Sequence, residues 1–421
     1  MRIHEALGIL CVILHSDCNI TQDYSSLRDK DMFKRTLTPA LEKLATKLPI
    51  VALLGPRQSG KTTLATTVFN KHKYINFENI NQRAFALNDP ERFLEENKHE
   101  HGLILDEIQH VPSLFSFIQL QADKEEKVGY FILTGSQNFL LNQAITQTLA
   151  GRIAILNLLP LSLQELKENN LLGTSINQVI YSGSYPRLYA KQLLPQELYP
   201  FYIQTYIERD VRQITRVTDL SMFQRFLGLC VGRIGQLLNV SSLASDCGIS
   251  VNTAKSWLSI LEASYIIFLL QPHFKNFSKR LIKSPKLYFY DTGIACTLLG
   301  IQSEEELSQH YLRGGLVENL VIADFIKHFY NQARTPRLYF WRDSHGLEID
   351  CIIDQGTTMI PIEIKAGITI NADYFSGLEH WSALAGIPQE QGFVVYAGTE
   401  NQTRSKGHVV SWRSLDRILK S

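Results

Sequence analysis

The chain has 421 residues, of which 45% are hydrophobic and 20% are charged, and this balance predicts a globular protein of two or three domains. The formal net charge of +1 excludes nucleic-acid binding through an overall positive field, so any such contact depends on a local patch. The six cysteines include no C-x-x-C pair, so they give no zinc signal and favour reduced thiols in a cytoplasm.

The first 31 residues are expected to lie outside the folded domains. Residues 6–14, ALGILCVIL, resemble the apolar core of a secretion signal, but nine residues cannot span a bilayer and no small-residue cleavage site follows. Met32 begins an amphipathic segment that enters the first domain. We therefore expect a native start at Met32, with residues 1–31 as an upstream extension, and a cytoplasmic chain without membrane contact.

A phosphate-binding loop is predicted next. An apolar run at 50–54 precedes GPRQSGKT, which extends from Gly55 to Thr62 and fits the pattern G-x-x-x-x-G-K-T. The glycines allow successive backbone N–H groups to face a polyphosphate at a helix N-terminus. Lys61 is expected to reach the β- and γ-phosphates of ATP, and the Thr62 hydroxyl to bind Mg²⁺. The predicted nucleotide-binding residues are Gly55, Pro56, Arg57, Gln58, Ser59, Gly60, Lys61, Thr62, Thr63 and Ser136.

Two acids follow 45 residues after the loop lysine, at the end of the apolar run in GLILDEIQ. Asp106 is expected to hold Mg²⁺ through water, and Glu107 to polarise the water that attacks the γ-phosphate. An acidic cap on a strand is the alternative. The order of the two motifs, loop first and acids second, favours a nucleotide site.

Further polar residues end the later strands of this region. YFILTGSQN ends in Thr134, Ser136 and Gln137, which suit a γ-phosphate sensor or, alternatively, a loop cap. Arg152, in TLAGRI, is a candidate for stabilising transition-state charge in its own site or, in a homo-oligomer, in a neighbour's. A structural role for this arginine is left open. The predicted catalytic residues are Lys61, Glu107 and Arg152.

Five apolar runs with helical stretches between the earlier ones predict an α/β fold with a parallel sheet and nucleotide at the carboxyl ends of its strands. The runs lie at 50–54, 74–78, 103–106, 130–134 and 153–158.

The motifs LLGPRQSGKTTL, LILDEIQ, ILTGSQNFLL and LAGRI together resemble the prokaryotic AAA-type ATPase family that carries a C-terminal domain of unknown function. The resemblance continues through SSLASDCGISVNTAKSWLSILEASYII, KLYFYDTGIACTLLG and GLEIDCIID, and it covers nearly everything from Met32 onward. It implies a P-loop NTPase domain of the AAA/ASCE type over 32–165 and a helical connector over 166–214. It also implies ATP binding with hydrolysis as the expected reaction.

The middle of the chain predicts a winged helix-turn-helix over 215–272. A helix from Ser242, the turn CGIS and a helix over 251–262 are followed by the β-like run YIIFLL. The second helix exposes Asn252, Lys255 and Ser256, so both DNA contact and protein docking stay open. The upstream charged residues Glu208, Arg209 and Asp210 indicate ion pairs more than catalysis.

Next comes a basic stretch, HFKNFSKRLIKSPK, that suits a nucleic-acid backbone or, alternatively, a solvated linker. Its cations are Lys275, Lys279, Arg280, Lys283 and Lys286, and its aromatic residues are Phe274 and Phe277.

The last region, 285–421, predicts an α/β domain with acids on a hairpin. Glu348 and Asp350 share one strand face, and an even-numbered loop would place the face of Glu363 and Lys365 beside them. Glu318 lies on the core-facing stripe of a predicted helix, where a carboxylate needs a cation or a metal as its partner.

The order of these residues resembles the PD-(D/E)xK nuclease fold, a restriction-endonuclease-like α/β fold, although no proline precedes Asp350. The resemblance implies Mg²⁺ held by Glu318, Asp350 and Glu363, with Lys365 stabilising charge. Two functions follow from the whole sequence. One is an ATPase that acts on DNA with a nuclease-like domain, and the other is a nucleotide-gated regulatory module whose nuclease-like domain is inactive.

Overall fold

A parallel sheet forms the centre of the first part of the chain, as the sequence predicts. In the computed structural model it has five strands in the order β2-β3-β4-β1-β5, all paired in parallel. The strands are β1 Ile50–Gly55, β2 Lys73–Asn76, β3 Leu103–Asp106, β4 Phe131–Ser136 and β5 Ile153–Asn157. The helices are α1 Thr38–Ala45, α2 Lys61–Val68, α3 Ile80–Asn88, α4 Pro90–Glu96 and α5 Leu114–Glu125. The structure describes residues 33–125, 127–136, 148–207, 220–273, 283–343, 346–386 and 388–419.

The apolar sequence of β1 fits its position inside the sheet. All six of its residues are buried, because β4 and β5 flank it and apolar layers cover both faces of the sheet. Leu54 packs in the layer that contains Phe115, and Leu53 packs in the layer that contains Leu64. Since the strands run in one direction, the carboxyl ends of β1, β3 and β4 meet at one edge. This arrangement is the α/β fold of P-loop NTPases.

Short helices follow the sheet. They are α6 Leu163–Glu168, α7 Ile176–Ser182, α8 Pro186–Ala190, α9 Pro195–Tyr202, a π-helix at Ile203–Ile207, α10 Leu220–Val231, α11 Val240–Cys247 and α12 Val251–Ala263. The predicted pair of helices is present as α11 and α12. Gly248 ends α11 with a φ of 79°, a left-handed conformation that glycine adopts readily. Ser250 caps α12 by accepting a hydrogen bond from the Thr253 N–H at 3.0 Å.

A second, mixed sheet has eight strands in the order β12-β13-β11-β10-β9-β8-β6-β7. Its strands are β6 Ile267–Pro272, β7 Lys286–Phe289, β8 Leu338–Arg342, β9 Glu348–Asp354, β10 Met359–Lys365, β11 Phe393–Tyr396, β12 Gln402–Arg404 and β13 Gly407–Ser411. The accompanying helices are α13 Thr292–Leu298, α14 Glu304–Gln309, α15 Arg313–Asn331, α16 Ser376–Ala385 and α17 Asp416–Leu419.

The second sheet joins the helix pair to the C-terminal region. Strand β6, directly after α12, pairs antiparallel with β7 and parallel with β8. A bridge between Ile234 and Leu287 adds the segment that follows α10 to the same sheet edge. The expected domain boundaries at 272 and 285 stay predictions, but strand pairing continues across them. Both sheets belong to one compact unit, Phe33–Ser421.

A buried ion pair connects the phosphate loop to the start of the helical region. Arg35 Nε donates to Glu165 Oε1 at 3.0 Å, and the two side chains are 6% and 0% exposed. The other guanidinium nitrogens of Arg35 donate to the carbonyls of Ser59 at 2.7 Å and Leu159 at 2.6 Å. Glu165 also accepts a hydrogen bond from the Thr36 N–H at 2.8 Å. The pair therefore satisfies backbone groups of three segments at once.

We expect Glu165→Ala to lower the free energy of unfolding by about 3 kcal/mol or more, because it leaves the Arg35 charge buried without its carboxylate. Chemical denaturation followed by circular dichroism measures this change. The matched control is Glu96→Ala, which removes an exposed ion pair with Arg92 and is expected to leave the midpoint unchanged. Equal midpoints for the two variants would contradict the role given to the buried pair.

Candidate functional site

The phosphate loop lies between β1 and α2 and begins at a glycine that no other residue can replace. Gly55 has a φ of 155°, and a Cβ built there would lie 2.2 Å from the Leu158 carbonyl oxygen. Gly60 precedes α2 with a φ of 94°. Lys61 is 5% exposed, and its ammonium donates to the carbonyls of Gly55 at 3.0 Å and Pro56 at 2.8 Å. The loop therefore curls around the lysine, as the sequence predicts for a phosphate cradle.

The two predicted magnesium ligands lie together. Thr62 Oγ1 is 3.1 Å from both carboxylate oxygens of Asp106. Asp106 also accepts hydrogen bonds from the hydroxyls of Tyr74, at 2.7 Å, and Thr134. A hydroxyl and a carboxylate at a helix N-terminus form a donor set that fits Mg²⁺ beside a polyphosphate. The expected sensor Thr134 thus orients Asp106.

Tyr74 has no motif in the sequence, and only the pairing of β2 with β3 reveals its role. Burial and the Asp106 carboxylate raise the pKa of its hydroxyl, so this group keeps its proton and donates.

Glu107, the expected general base, follows Asp106 and is hydrogen-bonded to two polar side chains. It lies half-buried after β3 with a φ of 55°, a strained conformation for a residue other than glycine. It accepts hydrogen bonds from Gln109 Nε2 and, at 3.4 Å, from Ser136 Oγ. Burial acts to raise the pKa of Glu107, but Lys61, the Gln109 bond and Arg57 outweigh it, so the pKa lies below its usual value. The carboxylate is ionised at neutral pH.

The remaining predicted residues of the nucleotide site differ in exposure. Ser59 is buried and the Thr63 side chain is exposed, while Gln137, the expected sensor residue after β4, lies outside the described residues.

The sequence analysis missed Gln109, which belongs to the GLILDEIQ segment. Gln109 joins Glu107 to Ser136, since its Nε2 is 3.1 Å from Ser136 Oγ.

Arg152 lies at the opposite edge of the sheet from the phosphate loop. The next residue, Ile153, pairs with Ile50 at the start of β1, so five residues of strand, about 16 Å, separate Arg152 from the loop. Arg152 forms an exposed ion pair with Asp123. The expectation that Arg152 acts in the site of its own chain is therefore wrong. A role in a neighbouring copy stays a prediction.

A second group of charged residues lies on the mixed sheet, and it contains the four residues expected of a nuclease-like site. The four-residue loop between β9 and β10 places Asp354 opposite Met359, and continuing this register sets Asp350 opposite Glu363. Lys365 Nζ is 2.5 Å from Glu363 and 3.8 Å from Asp350. Of the two loop parities that the sequence left open, the structure has the even one, so the face of Glu348 and Asp350 coincides with that of Glu363 and Lys365.

Lys286 enters the same cluster from β7. Its ammonium is 2.9 Å from Glu318 Oε1 and also pairs with Glu348. With 3% of its side chain exposed, Lys286 cannot contact a nucleic-acid backbone, so that expectation is wrong. Tyr288, which lies two residues after Lys286 on β7, donates a hydrogen bond to Glu318 at 2.5 Å. Lys283 is exposed, and the remaining members of the expected basic stretch, Phe274, Lys275, Phe277, Lys279 and Arg280, lie outside the described residues.

The cluster brings several carboxyl groups close together in a partly buried site. Glu318, Glu348 and Asp350 each offer a carboxylate oxygen, and these oxygens lie within 4.8 Å of one another. Burial and the Asp350 charge raise the pKa of Glu318 to about 7 and that of Glu363 to about 8, although Lys286 and Lys365 oppose the rise. The donor set fits a divalent cation, which takes oxygen ligands.

The exposed face of α12 is polar, as predicted. Asn252, Lys255 and Ser256 are exposed, and Lys255 is the one cation among them. The residues Glu208, Arg209 and Asp210 lie outside the described part of the chain. Among the described residues, no helix has the length and apolar character needed to cross a membrane.

Three family models match consecutive parts of this chain. An AAA domain matches residues 47–167, one domain of unknown function (DUF8612) matches 173–305, and another (DUF4143) matches 313–415. The first match contains all five strands of the parallel sheet, and the last contains Glu318, Asp350, Glu363 and Lys365.

Two curated relatives, uncharacterized proteins of Mycobacterium bovis and Mycobacterium tuberculosis, are each 28% identical over 337 residues. The matched segment is 79% of this chain and 74% of each relative. Among solved structures, the Walker-type ATPase of Pyrococcus abyssi covers 64% of this chain and 97% of its own, with 17% identity and a TM-score of 0.41. The RuvB Holliday junction branch migration motor of Thermotoga maritima covers 57% and 92%, with 18% identity and a TM-score of 0.30.

The free energy of unfolding of Glu363→Gln, measured relative to that of the wild type, is expected to be higher at pH 9 than at pH 5. The folded-state pKa of about 8 exceeds the ordinary value of 4.5, so the folded protein holds this proton more tightly than the unfolded chain does. Stability is therefore lost in the wild-type protein as the pH rises from about 4.5 to about 8, and glutamine does not ionise. We expect the difference in unfolding free energy between variant and wild type to change by roughly 1 kcal/mol or more across this range.

Urea denaturation at the two pH values measures this change, with the exposed Glu400→Gln as the control. A pH-independent difference for Glu363→Gln would contradict the raised pKa.

Proposed function

We propose that this chain binds ATP with Mg²⁺ and hydrolyses it. The observation that carries the proposal is the convergence of Lys61, Thr62, Asp106 and Glu107 at the carboxyl edge of the parallel sheet. The match of residues 47–167 to an AAA domain supports it.

In this proposal the four residues have different roles in binding and hydrolysis. The backbone N–H groups before α2 and the Lys61 ammonium bind the phosphates, while Thr62 and Asp106 hold Mg²⁺. Glu107, ionised and oriented by Gln109, accepts the proton of the attacking water. Because Asp106 and Glu107 are adjacent but differently bonded, the metal ligand and the base are distinct carboxylates.

Lys61→Ala is expected to abolish ATP binding and turnover, because the phosphates lose their cation. Glu107→Gln is expected to retain ATP affinity and to lower turnover by roughly 100-fold or more, because glutamine cannot accept the proton. Phosphate release and isothermal titration with Mg-ATP separate the two effects. The exposed Lys71→Ala serves as the control, and wild-type turnover by Lys61→Ala would refute the proposal.

A second candidate function concerns the cluster on the mixed sheet. Its specific support is that Lys365 lies beside Asp350 and Glu363, and that carboxylate oxygens of Glu318, Glu348 and Asp350 lie within 4.8 Å of one another, a spacing that suits a metal. This candidate is Mg²⁺-dependent cleavage of DNA, with α12 as a winged-helix contact to the duplex. Its alternative is a nucleotide-gated regulatory module whose nuclease-like domain does not cut.

We expect DNA cleavage in the presence of Mg²⁺ or Mn²⁺ to disappear in Asp350→Asn and Glu363→Gln, because either change removes a carboxyl group expected to bind the metal. Gel analysis of linear and supercoiled DNA after incubation with the purified full chain measures it. Asp373→Asn, an exposed acid outside the cluster, is the control. Absence of cleavage by the wild-type chain under all these conditions favours the regulatory alternative.

A further inference from the structure

A buried lysine lies among the carboxylates of the cluster on the mixed sheet. Lys286 Nζ is 2.9 Å from Glu318 Oε1, and it also pairs with Glu348. Those two carboxylates and that of Asp350 are the three whose oxygens lie within 4.8 Å of one another. The Lys286 ammonium therefore contacts two of the three carboxylates that are spaced for a metal.

The position of this lysine follows from the alternation of strand β7. Residues two apart on a strand share a face, so Lys286 and Tyr288 point to the same side, and both donate to Glu318 Oε1. The backbone of Lys286 is paired on both sides, with Leu270 of β6 and through a bridge with Leu237. The sheet therefore fixes where this positive charge lies.

Burial distinguishes Lys286 from the lysine of a surface ion pair. Its side chain is 3% exposed, whereas the side chains of the three carboxylates are between 15% and 20% exposed. Taking an ammonium out of water costs free energy, which its carboxylate partners have to offset. The carboxylates in turn repel one another and need positive charge nearby. Lys286 supplies this charge from inside the protein.

The other cations of the cluster contact different carboxylate oxygens. Arg342 Nη1 is 3.2 Å from Glu348 Oε2, while Lys286 pairs with Glu348 Oε1. Lys365 lies 3.8 Å from Asp350 and closer to Glu363. Lys286 thus joins the carboxylate of Glu318 on α15 to that of Glu348 on β9, as a metal ion shared by the helix and the strand would.

A divalent cation held by the same carboxylates would lie close to the Lys286 ammonium. Metal–oxygen distances are about 2.0–2.6 Å for Mg²⁺ and Ca²⁺, so such an ion would sit within a few ångströms of Nζ. Two positive groups at so short a distance in a partly buried site repel each other strongly, and a carboxylate that already pairs with a lysine attracts a metal less. Metal and lysine therefore compete for the charge of Glu318 and Glu348.

We propose that Lys286 is an internal cation that takes the place of a divalent metal between Glu318 and Glu348 and sets how tightly the cluster binds metal. The inference rests on the metal-binding cluster of the second candidate function, and it adds the residue that limits metal binding there. The native chain keeps the cluster folded without metal and takes up Mg²⁺ or Mn²⁺ only at roughly millimolar concentrations.

Lys286→Met is expected to raise the affinity of the full chain for Mn²⁺ at least about tenfold, because removing one close charge changes binding by this factor or more. Electron paramagnetic resonance of free Mn²⁺, titrated without nucleotide, measures the affinity. Lys286→Gln keeps hydrogen-bond donors without the charge and should also bind Mn²⁺ more tightly than the wild type. The control is Lys283→Met, which removes an exposed lysine three residues earlier and should leave the affinity unchanged.

The nucleotide site is a second place where Mn²⁺ could bind, through Thr62 and Asp106, so the two sites have to be separated. The added binding should disappear when Lys286→Met is combined with Asp350→Asn. It should persist when Lys286→Met is combined with Asp106→Asn. This pair of double variants assigns the gained ion to one site.

Thermal unfolding gives a second readout. Lys286→Met leaves Glu318 and Glu348 without the cation they share, so it is expected to unfold at a lower temperature than the wild type in metal-free buffer. Mn²⁺ should raise its unfolding temperature by several degrees and that of the wild type by less, because a ligand stabilises the folded state according to its affinity. A variant that is unfolded without metal is expected to refold when Mn²⁺ is added, as followed by circular dichroism.

The outcomes separate this inference from the function on which it rests. Equal Mn²⁺ affinities of the cluster in the wild type and Lys286→Met overturn the inference and leave the metal site in place. Micromolar binding by the wild-type chain that Asp350→Asn abolishes also overturns it. A Lys286→Met chain that stays unfolded with Mn²⁺ overturns it as well, since a metal then cannot replace the lysine. Absence of Mn²⁺ from the cluster in both proteins overturns the metal site together with the inference.

Discussion

The three hydrogen bonds of the buried Arg35 guanidinium hold together the parts of the molecule that form the nucleotide site. One bond reaches Glu165 at the start of the connector helices, and another reaches the Ser59 carbonyl inside the phosphate loop. A fixed carbonyl also fixes the N–H of the next residue, because the peptide unit is planar. The backbone donors that face a polyphosphate are therefore oriented by a charge pair that lies outside the loop. A connector that moved would change the shape of the loop, and the contacts of Tyr202 and Tyr206 with Arg57 and Gln58 act on the same segment.

Local motifs of the nucleotide site could be predicted from the sequence, while partners from other elements could not. The phosphate loop and Asp106 each depend on a few consecutive residues that follow a buried strand, so their pattern is visible in the chain. Arg152 does not lie in the nucleotide site of its own chain, because a residue just before a strand lies at the amino edge of a parallel sheet. Nucleotide binds at the carboxyl edge. Tyr74 and Tyr206 have no motif, since their roles come from a strand pairing and from a helix 148 residues beyond Gln58.

In the C-terminal region the alternation of strand residues was enough to predict which charged residues share a face within each strand. Whether the faces of the two strands coincide depends on the parity of one loop, which the sequence left open and the structure shows to be even. The role of Lys286 was not visible. Its neighbours in the sequence are basic, but the first residue of β7 is buried against Glu318 and Glu348, and burial of a cation is decided by the carboxylates that surround it. Helix α15 carries Glu318 and also Asp324, which accepts a hydrogen bond from the Leu163 N–H at 2.7 Å. One helix therefore contacts both the acid cluster and the segment that leaves the parallel sheet.

The continuity of the mixed sheet has a practical consequence for dividing the molecule. The last two family matches end at residue 305 and begin at residue 313, and this gap suggests a domain boundary for truncation. A fragment that began there would lack β6 and β7, so β8 would become an open edge with unpaired backbone groups. It would also contain Glu318, Glu348, Asp350 and Glu363 without the lysine that neutralises two of them. The acid cluster of such a fragment would therefore differ from that of the full chain, and its activity has to be measured on the full chain.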